Sequence, residues 1–296
     1  MSFNANDASG AGGLAGDVAT IAAMGAHPLP VATAIVMRDT AEVFDHHALE
    51  PEVIVEQARS ILEDVTVAAW KVGFLGSAES VAAVAEILSD YPDVPLVAYL
   101  TSLSWLDDDA LAAYHDAWRE LILPQTVVLV GNHKTLADFL LPDWESERAP
   151  SARELAKAAA EHGARFVLVT GVALPGKANE AFVDNVLASP QGAITGEKFE
   201  RFDAAFVGAG ETLSAALASL LAAGSELHDA VGEALQFLDQ ALDAGFRPGM
   251  GNVVPDRFFW ALGQPEDGAP GENGESGDGG STPGDADTAS GPRRIH

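Results

Sequence analysis

The stretch Gly208-Ala209-Gly210-Glu211-Thr212 runs directly into the alanine-rich segment Leu213 to Ala223. Two glycines ahead of a strong helix former leave backbone N–H groups bare at a helix N-terminus. That end carries about half a positive charge from the helix dipole, so it suits a phosphate or another anion. Glu211, on the first turn, is placed either to act as a base beside that anion or to cap the helix. The first reading makes the chain an enzyme; the second makes the turn a piece of scaffold.

Upstream of this turn, short apolar runs alternate with helical patterns. Val31 to Met37, Val67 to Phe74, Pro95 to Leu100, Thr126 to Val130 and Arg165 to Thr170 read as strands. Gly13 to Met24, Pro51 to Leu62, Ser77 to Leu88, Asp107 to Leu121 and Ser151 to His162 read as helices. Pro51 is tolerated in a first turn, and Ser151 with Glu154 has the spacing of a capping box. Such alternation predicts an α/β fold with a mostly parallel sheet covered by helices on both faces. After Thr170 the rhythm changes: Ala181 to Leu187 and Ala193 to Phe202 read as an antiparallel pair. The glycine turn and two helices, Glu211 to Ala223 and Glu226 to Ala244, follow. Ligands in open α/β sheets bind beyond the carboxyl ends of the strands, which directs attention to the loops after Met37, Phe74, Leu100, Val130 and Thr170.

Composition narrows the function. The 296 residues are 48% hydrophobic and contain no cysteine, which excludes disulfides, thiolate metal sites and a cysteine nucleophile. A net charge of −28 argues against nucleic-acid backbones and anionic membranes as partners. No run approaches the roughly 20 apolar residues of a bilayer span, and Met1-Ser2-Phe3-Asn4 lacks a basic signal-peptide head. The expectation is a soluble, cytoplasmic protein. From residue 263 to 296 Gly, Pro, Ser and Asp dominate, so residues 1–262 are read as one domain and 263–296 as a disordered acidic tail.

A second glycine-rich turn, Asp7-Ala8-Ser9-Gly10-Ala11-Gly12-Gly13-Leu14-Ala15-Gly16-Asp17, lies near the N-terminus. It lacks the Gly-Lys-Ser/Thr of a P-loop. Together with Thr20, Gly25, Thr33-Ala34, Asp39-Thr40, Lys71-Val72-Gly73-Phe74-Leu75, the Gly208 turn and Gly245 to Gly251, it has the order and spacing of a known family. From about Asp7 to Trp260 the chain resembles the hydroxymethylpyrimidine/phosphomethylpyrimidine kinases of thiamine biosynthesis, which have the ribokinase-like three-layer fold. The resemblance implies ATP-dependent phosphorylation of a pyrimidine hydroxymethyl group and then of its monophosphate, with Mg²⁺ as the accompanying ion. It implies that Asp17 holds the hydroxymethyl group and that Gly13, Val36, Arg38 and Phe74 line the pyrimidine pocket. Gly208, Ala209 and Gly210 become the anion hole, Glu211 the catalytic acid–base, and Asn132, Thr170 and Thr212 the nucleotide contacts. A homodimer is a further implication. No side-chain cluster is expected to hold a metal by itself.

Four positions depart from the family pattern. Arg38 stands where the family has a glutamine, and it offers donors only and a fixed charge, so an anionic ligand group suits it better. Ala98-Tyr99-Leu100-Thr101-Ser102 replaces a segment that carries an aspartate. Asn132-His133-Lys134-Thr135 lacks the glutamate of the family's magnesium–phosphate element, and Lys134 is expected to bring positive charge there. Glu211 replaces an Asp or Cys and moves the carboxylate by about 1.5 Å. These changes leave open a non-catalytic relative that binds a small anionic metabolite or a partner protein, or a kinase for another small molecule.

Other residues read more plainly. His46-His47 sit in an acidic stretch expected to be a solvated loop, and Ser214 reads as packing. Asp107-Asp108-Asp109 reads as a helix start, and Phe258, Phe259 and Trp260 as the anchor of the last segment. Outside the tail the chain still carries 37 acidic against 14 basic residues. A salt-rich medium screens such self-repulsion. The midpoint of thermal unfolding should therefore climb between 0.1 M and 2 M KCl, over which the Debye length shortens about fourfold from about 10 Å; a flat or falling midpoint would remove the salt argument.

Overall fold

The computed structural model describes residues 1–261 except 175 and 177–179, so the tail expected over 263–296 lies outside the described residues. The strands are β1 (Ser2–Asp7), β2 (Pro30–Arg38), β3 (Val43–Ala48), β4 (Trp70–Val72), β5 (Leu96–Tyr99), β6 (Val128–Asn132), β7 (Phe166–Ala173), β8 (Phe182–Ser189) and β9 (Gly192–Glu200). The helices are α1 (Gly13–Ala23), α2 (Pro51–Leu62), α3 (Ala78–Ser89), α4 (Asp108–Ala117), α5 (His133–Leu140), α6 (Ala152–Glu161), α7 (Ala209–Ala222) and α8 (Leu227–Asp243). Among the described residues the strands form one sheet in the order β3-β2-β1-β4-β5-β6-β7-β8-β9. The six strands from β2 to β7 in that order are parallel, β3 is added antiparallel at one edge, and the β8–β9 hairpin is added at the other.

Strand side chains alternate between faces, so each central strand feeds two cores. Leu96 and Ala98 join one core while Val97 joins the other; Leu129 opposes Val128 and Val130, and Val167 and Val169 oppose Leu168. The first core is closed by apolar residues of α2 to α6, such as Ile54, Val84, Tyr114, Phe139 and Leu155. The second is closed by Leu213 and Leu217 of α7 and Val231 and Leu235 of α8, with α1 packed on α7. This is the expected three-layer arrangement. The helix starts follow local chemistry: Ser77 accepts from Ser80 N–H, Asp107 from Ala110 N–H, and Ser151 and Glu154 form the full capping box. None of the helices among the described residues is long and apolar enough to cross a membrane.

The structure departs from the sequence reading at several elements. β1, β3 and α5 were not expected. The strand expected over Val67 to Phe74 narrows to three residues, because Asn4 Oδ1 takes the Phe74 N–H (3.0 Å) and withdraws it from the ladder. α4 ends at Ala117, and a wider turn over Trp118–Ile122 carries the chain on to Pro124, burying Trp118, Ile122 and Leu123. His46 and His47 lie on β3 rather than in a loop; His47 is exposed as expected, whereas His46 is half-buried. The His46 ring stands edge-on to Phe74 (5.3 Å) and Trp105 (5.0 Å), and its Nε2 is 3.0 Å from Gly76 O. Of the expected aromatic anchor, Phe259 packs on Phe237, whereas Phe258 and Trp260 stay 43% and 60% exposed.

β1 escaped notice because its inward positions are polar. Ser2 and Asn4 are buried, as is Asp17 of α1, which is fully inaccessible. Ser2 Oγ (2.6 Å) and Asn4 Nδ2 (2.9 Å) donate to Asp17 Oδ2, and Lys71 Nζ of β4 lies 2.9 Å from both carboxylate oxygens. The cluster ties α1 to two neighbouring central strands. Removing one member of a buried ion pair leaves the other charge uncompensated, a cost of about 3–5 kcal/mol. Lys71→Met should accordingly destabilise the fold by that amount in urea titrations; a loss below about 1 kcal/mol would show that the pair is dispensable.

Candidate active site

The first glycine turn joins β1 to α1. Asp7 organises it: Oδ1 accepts from Ser9 N–H (2.9 Å) and Ser9 Oγ (2.6 Å), and Oδ2 accepts from Gly12 N–H (3.0 Å). Gly13 has φ +55°, and a Cβ there would press on Ala5 O at 2.5 Å, so the entry into α1 needs glycine.

The second turn enters α7 through Gly208, whose φ is +86° and whose added Cβ would overlap Ala11 O of the first turn. At Gly210 a Cβ would fall within the Tyr99 ring. The Glu211 carboxyl sits over Gly12, its Cδ 3.2 Å from where a Cβ would be. The two turns are thus stacked. Arg257, 6% exposed, holds them together: Nη2 donates to Ala11 O (2.6 Å), Nη1 to Gly10 O (3.4 Å) and Nε to Thr212 Oγ1 (3.0 Å). Burial lowers the Arg257 pKa, and the carboxylates of Glu211, Asp17, Asp7 and Asp256 oppose that shift. Burial raises the Glu211 pKa above the ordinary carboxylate value, with Lys71 pulling it down most strongly among its charged neighbours. The Tyr99 phenol is pushed further up by burial and by the Glu211 charge, so it stays neutral.

Two cavities open on this framework. One, of about 450 Å³, is lined by Gly13, Val36, Phe74 and Trp105 among others, and the Phe74 and Trp105 rings meet edge-to-face at 5.3 Å. The other, of about 350 Å³, is lined by Tyr99, Asn132, Thr170 and the turn from Gly208 to Gly210. Arg38, Thr101, Ser102 and Glu211 line both. The first cavity offers flat apolar walls to a ring; the second offers bare helix N–H groups to an anion.

Of the residues singled out from sequence, Gly13, Val36, Arg38, Phe74, Asn132, Thr170 and Gly208 to Glu211 line one cavity or both. Asp17 does not. It is sealed beneath the turn by Ser2, Asn4 and Lys71, and none of its surface is accessible. Thr212 is also fully buried: its Oγ1 donates to Gly208 O and accepts from Arg257, so it braces the turn instead of facing the cavity. Lys134 pairs with Asp138 along the exposed face of α5 and brings no charge into the cavity. Sequence reasoning missed Asn4, Thr101, Ser102, Trp105 and Arg257. Asp7-x-Ser9 carries the local signal of an Asx turn, whereas nothing local connects Arg257 to a turn 246 residues earlier.

Comparison with known proteins places this geometry in context. The sequence model of a family described as Phosphomethylpyrimidine kinase matches residues 7–256. A hydroxymethylpyrimidine/phosphomethylpyrimidine kinase of Streptomyces coelicolor is 31% identical over 260 residues, covering 88% of this chain and 93% of that one. The chloroplastic thiamine biosynthetic bifunctional enzyme TH1 of Arabidopsis thaliana is 34% identical over 79% of this chain, which spans 45% of that longer protein. Among solved structures, a Bacillus subtilis pyridoxal kinase bound to ADP superposes with a TM-score of 0.78 at 22% identity, covering 88% of this chain and 98% of the other. That likeness establishes the ribokinase-like fold.

The Arg257 clamp yields a test. Arg257→Met leaves Ala11 O and Thr212 Oγ1 without their donor, which costs about 1–3 kcal/mol per unsatisfied group. It also removes a positive charge that favours ionised Glu211. Carboxyl ¹³C NMR should therefore show Glu211 titrating at higher pH in the variant; an unmoved titration would limit Arg257 to packing.

Proposed function

The chain belongs to the phosphomethylpyrimidine kinase family, and on that footing we propose that it transfers the γ-phosphoryl group of ATP to hydroxymethylpyrimidine and to its monophosphate in thiamine biosynthesis. The observation that carries this reading is the meeting of the two cavities at Glu211 and the N-terminus of α7. A ring held between Val36 and Phe74 on one side and a triphosphate held by the Gly208 turn on the other would bring acceptor and donor together at that junction. A cytoplasmic location, beside ATP, is part of the proposal.

Phosphoryl transfer depends on positioning and on stabilising charge, not on elaborate covalent chemistry by the protein. Ala209, Gly210 and Glu211 occupy the first turn of α7, where backbone N–H groups have no partner within the helix. They are placed to receive charge on the transferring group. Glu211, its pKa raised, is the base for an alcohol acceptor: it takes the hydroxymethyl proton as that oxygen bonds to the γ-phosphorus and ADP departs with the electron pair of the broken P–O bond. With Asp17 sealed away, Glu211 is the carboxylate at the junction that can do this.

The donor set does not make a magnesium site by itself. Among the described residues no group of three or more His, Asp or Glu is arranged to hold a metal ion, and Glu211 is the one carboxylate lining the second cavity. A hard cation prefers several oxygen ligands and keeps waters and phosphates among them, so Mg²⁺ would have to arrive with the nucleotide.

The test is an assay of the purified protein with Mg·ATP and hydroxymethylpyrimidine across pH, in raised salt. The acid limb of kcat should lie above the ordinary range for glutamate, because only ionised Glu211 accepts the proton. Glu211→Gln should cut kcat by about 10²–10⁴-fold and abolish that limb. Absence of turnover with either acceptor, in the wild type and in Glu211→Asp alike, would sink the kinase reading in favour of a binding protein.

A further inference from the structure

We propose that the acceptor this site favours is a phosphomonoester, the phosphorylated hydroxymethylpyrimidine, over the free alcohol, and that Arg38 sets the preference. The inference rests on the kinase reading above and deepens it.

Arg38 closes β2, and its guanidinium lies where the two cavities join, together with Thr101, Ser102 and Glu211. Its side chain is 14% exposed. Among the described residues its one hydrogen bond runs from Nε to Asp39 O (2.9 Å). The nearest carboxylate oxygen, Asp7 Oδ2, is 3.7 Å from Nη1, beyond hydrogen-bond reach, and is already taken by Gly12 N–H. Both terminal nitrogens therefore keep donors for a ligand. A guanidinium matches the fork of phosphate oxygens. Ser102 adds a hydroxyl at the same place, while the Thr101 hydroxyl is engaged by the Tyr99 phenol.

The chemistry of the two acceptors differs at this point. An alcohol brings no charge and must lose a proton, which needs Glu211. A phosphomonoester is close to a dianion at neutral pH, its second pKa being about 6. One of its oxygens can bond to the γ-phosphorus directly, while the bond to the β-bridging oxygen breaks and ADP leaves with the electron pair. No base is required. What it needs is a cation at the junction, because it must approach both a triphosphate and Glu211 within a chain of net charge −28. Arg38 is that cation. For a neutral alcohol the same guanidinium contributes little.

The experiment measures kcat/KM for the alcohol and for the phosphomonoester, each with Mg·ATP, in the wild type, Arg38→Gln and Arg38→Lys. The wild type should prefer the phosphomonoester by about 10- to 100-fold, the scale of one charged hydrogen-bonded contact. Arg38→Gln should lose most of that preference, chiefly through a rise in the phosphomonoester's KM that exceeds any change for the alcohol, and Arg38→Lys should keep part of it. The wild-type comparison stands even if a variant does not fold. Equal use of both acceptors, preference for the alcohol, or an unchanged ratio in a folded Arg38→Gln protein would overturn the proposal and leave the kinase reading intact. Turnover of neither acceptor would overturn both.

Discussion

The carboxylate of Asp17 is the point on which the site is built. It is wholly buried, and it gathers Ser2 and Asn4 from one central strand and Lys71 from the next. A charge placed there is tolerable because Oδ2 accepts three hydrogen bonds and Lys71 supplies the opposite charge beside both oxygens. The geometry follows from that requirement. Asn4 uses its other end to hold the Ala5 and Phe74 N–H groups, which shortens β4 and sets Phe74 against the ring cavity. Gly73 has to be glycine because the Asn4 amide occupies the space of its Cβ.

Above this layer the two glycine turns stack because neither has side chains in the way. Ala11 O lies where a Cβ on Gly208 would be, and Arg257 bridges what remains. The turns bring the positive end of α7 to the same place as Glu211, and the residual field of Lys71 and Arg257 works against the burial that raises the Glu211 pKa. The cation–carboxylate balance beneath the site thus reaches its chemistry. Electrostatics links the buried layer to the carboxyl that lines both cavities.

The legible parts of the fold were those where local pattern and tertiary environment agree. α2, with Pro51 in its first turn and Leu62 at its end, and α6, with its capping box, are specified by short-range chemistry. The alternation of the central strands likewise announces two covered faces. β1 was illegible because its inward Ser2 and Asn4 look like surface residues, and their burial makes sense only once Asp17 and Lys71 are in place. β3 was hidden by Asp45, His46 and His47, since an edge strand needs no continuous apolar run. Thr212 and Asp17 sit on the correct turns of the correct helices, yet each faces inward, and a spacing rule cannot tell which side of a turn a ligand occupies.

From the sequence alone came the α/β class, the order of most elements, the two glycine turns and the family, because these rest on periodicity, glycine placement and motif order along the chain. Tertiary structure alone decided that Asp17 is sealed beneath the turn and lines neither cavity, that Arg257 joins turns far apart in the chain, and that Arg38 lines both cavities. Those outcomes depend on which distant groups share a buried space, and in that space a charge must find partners. The turn from Gly208 to Thr212 carried its helix start and its bare N–H groups in its own residues; only packing against Ala11, Tyr99 and Arg257 made it one wall of a shared cavity.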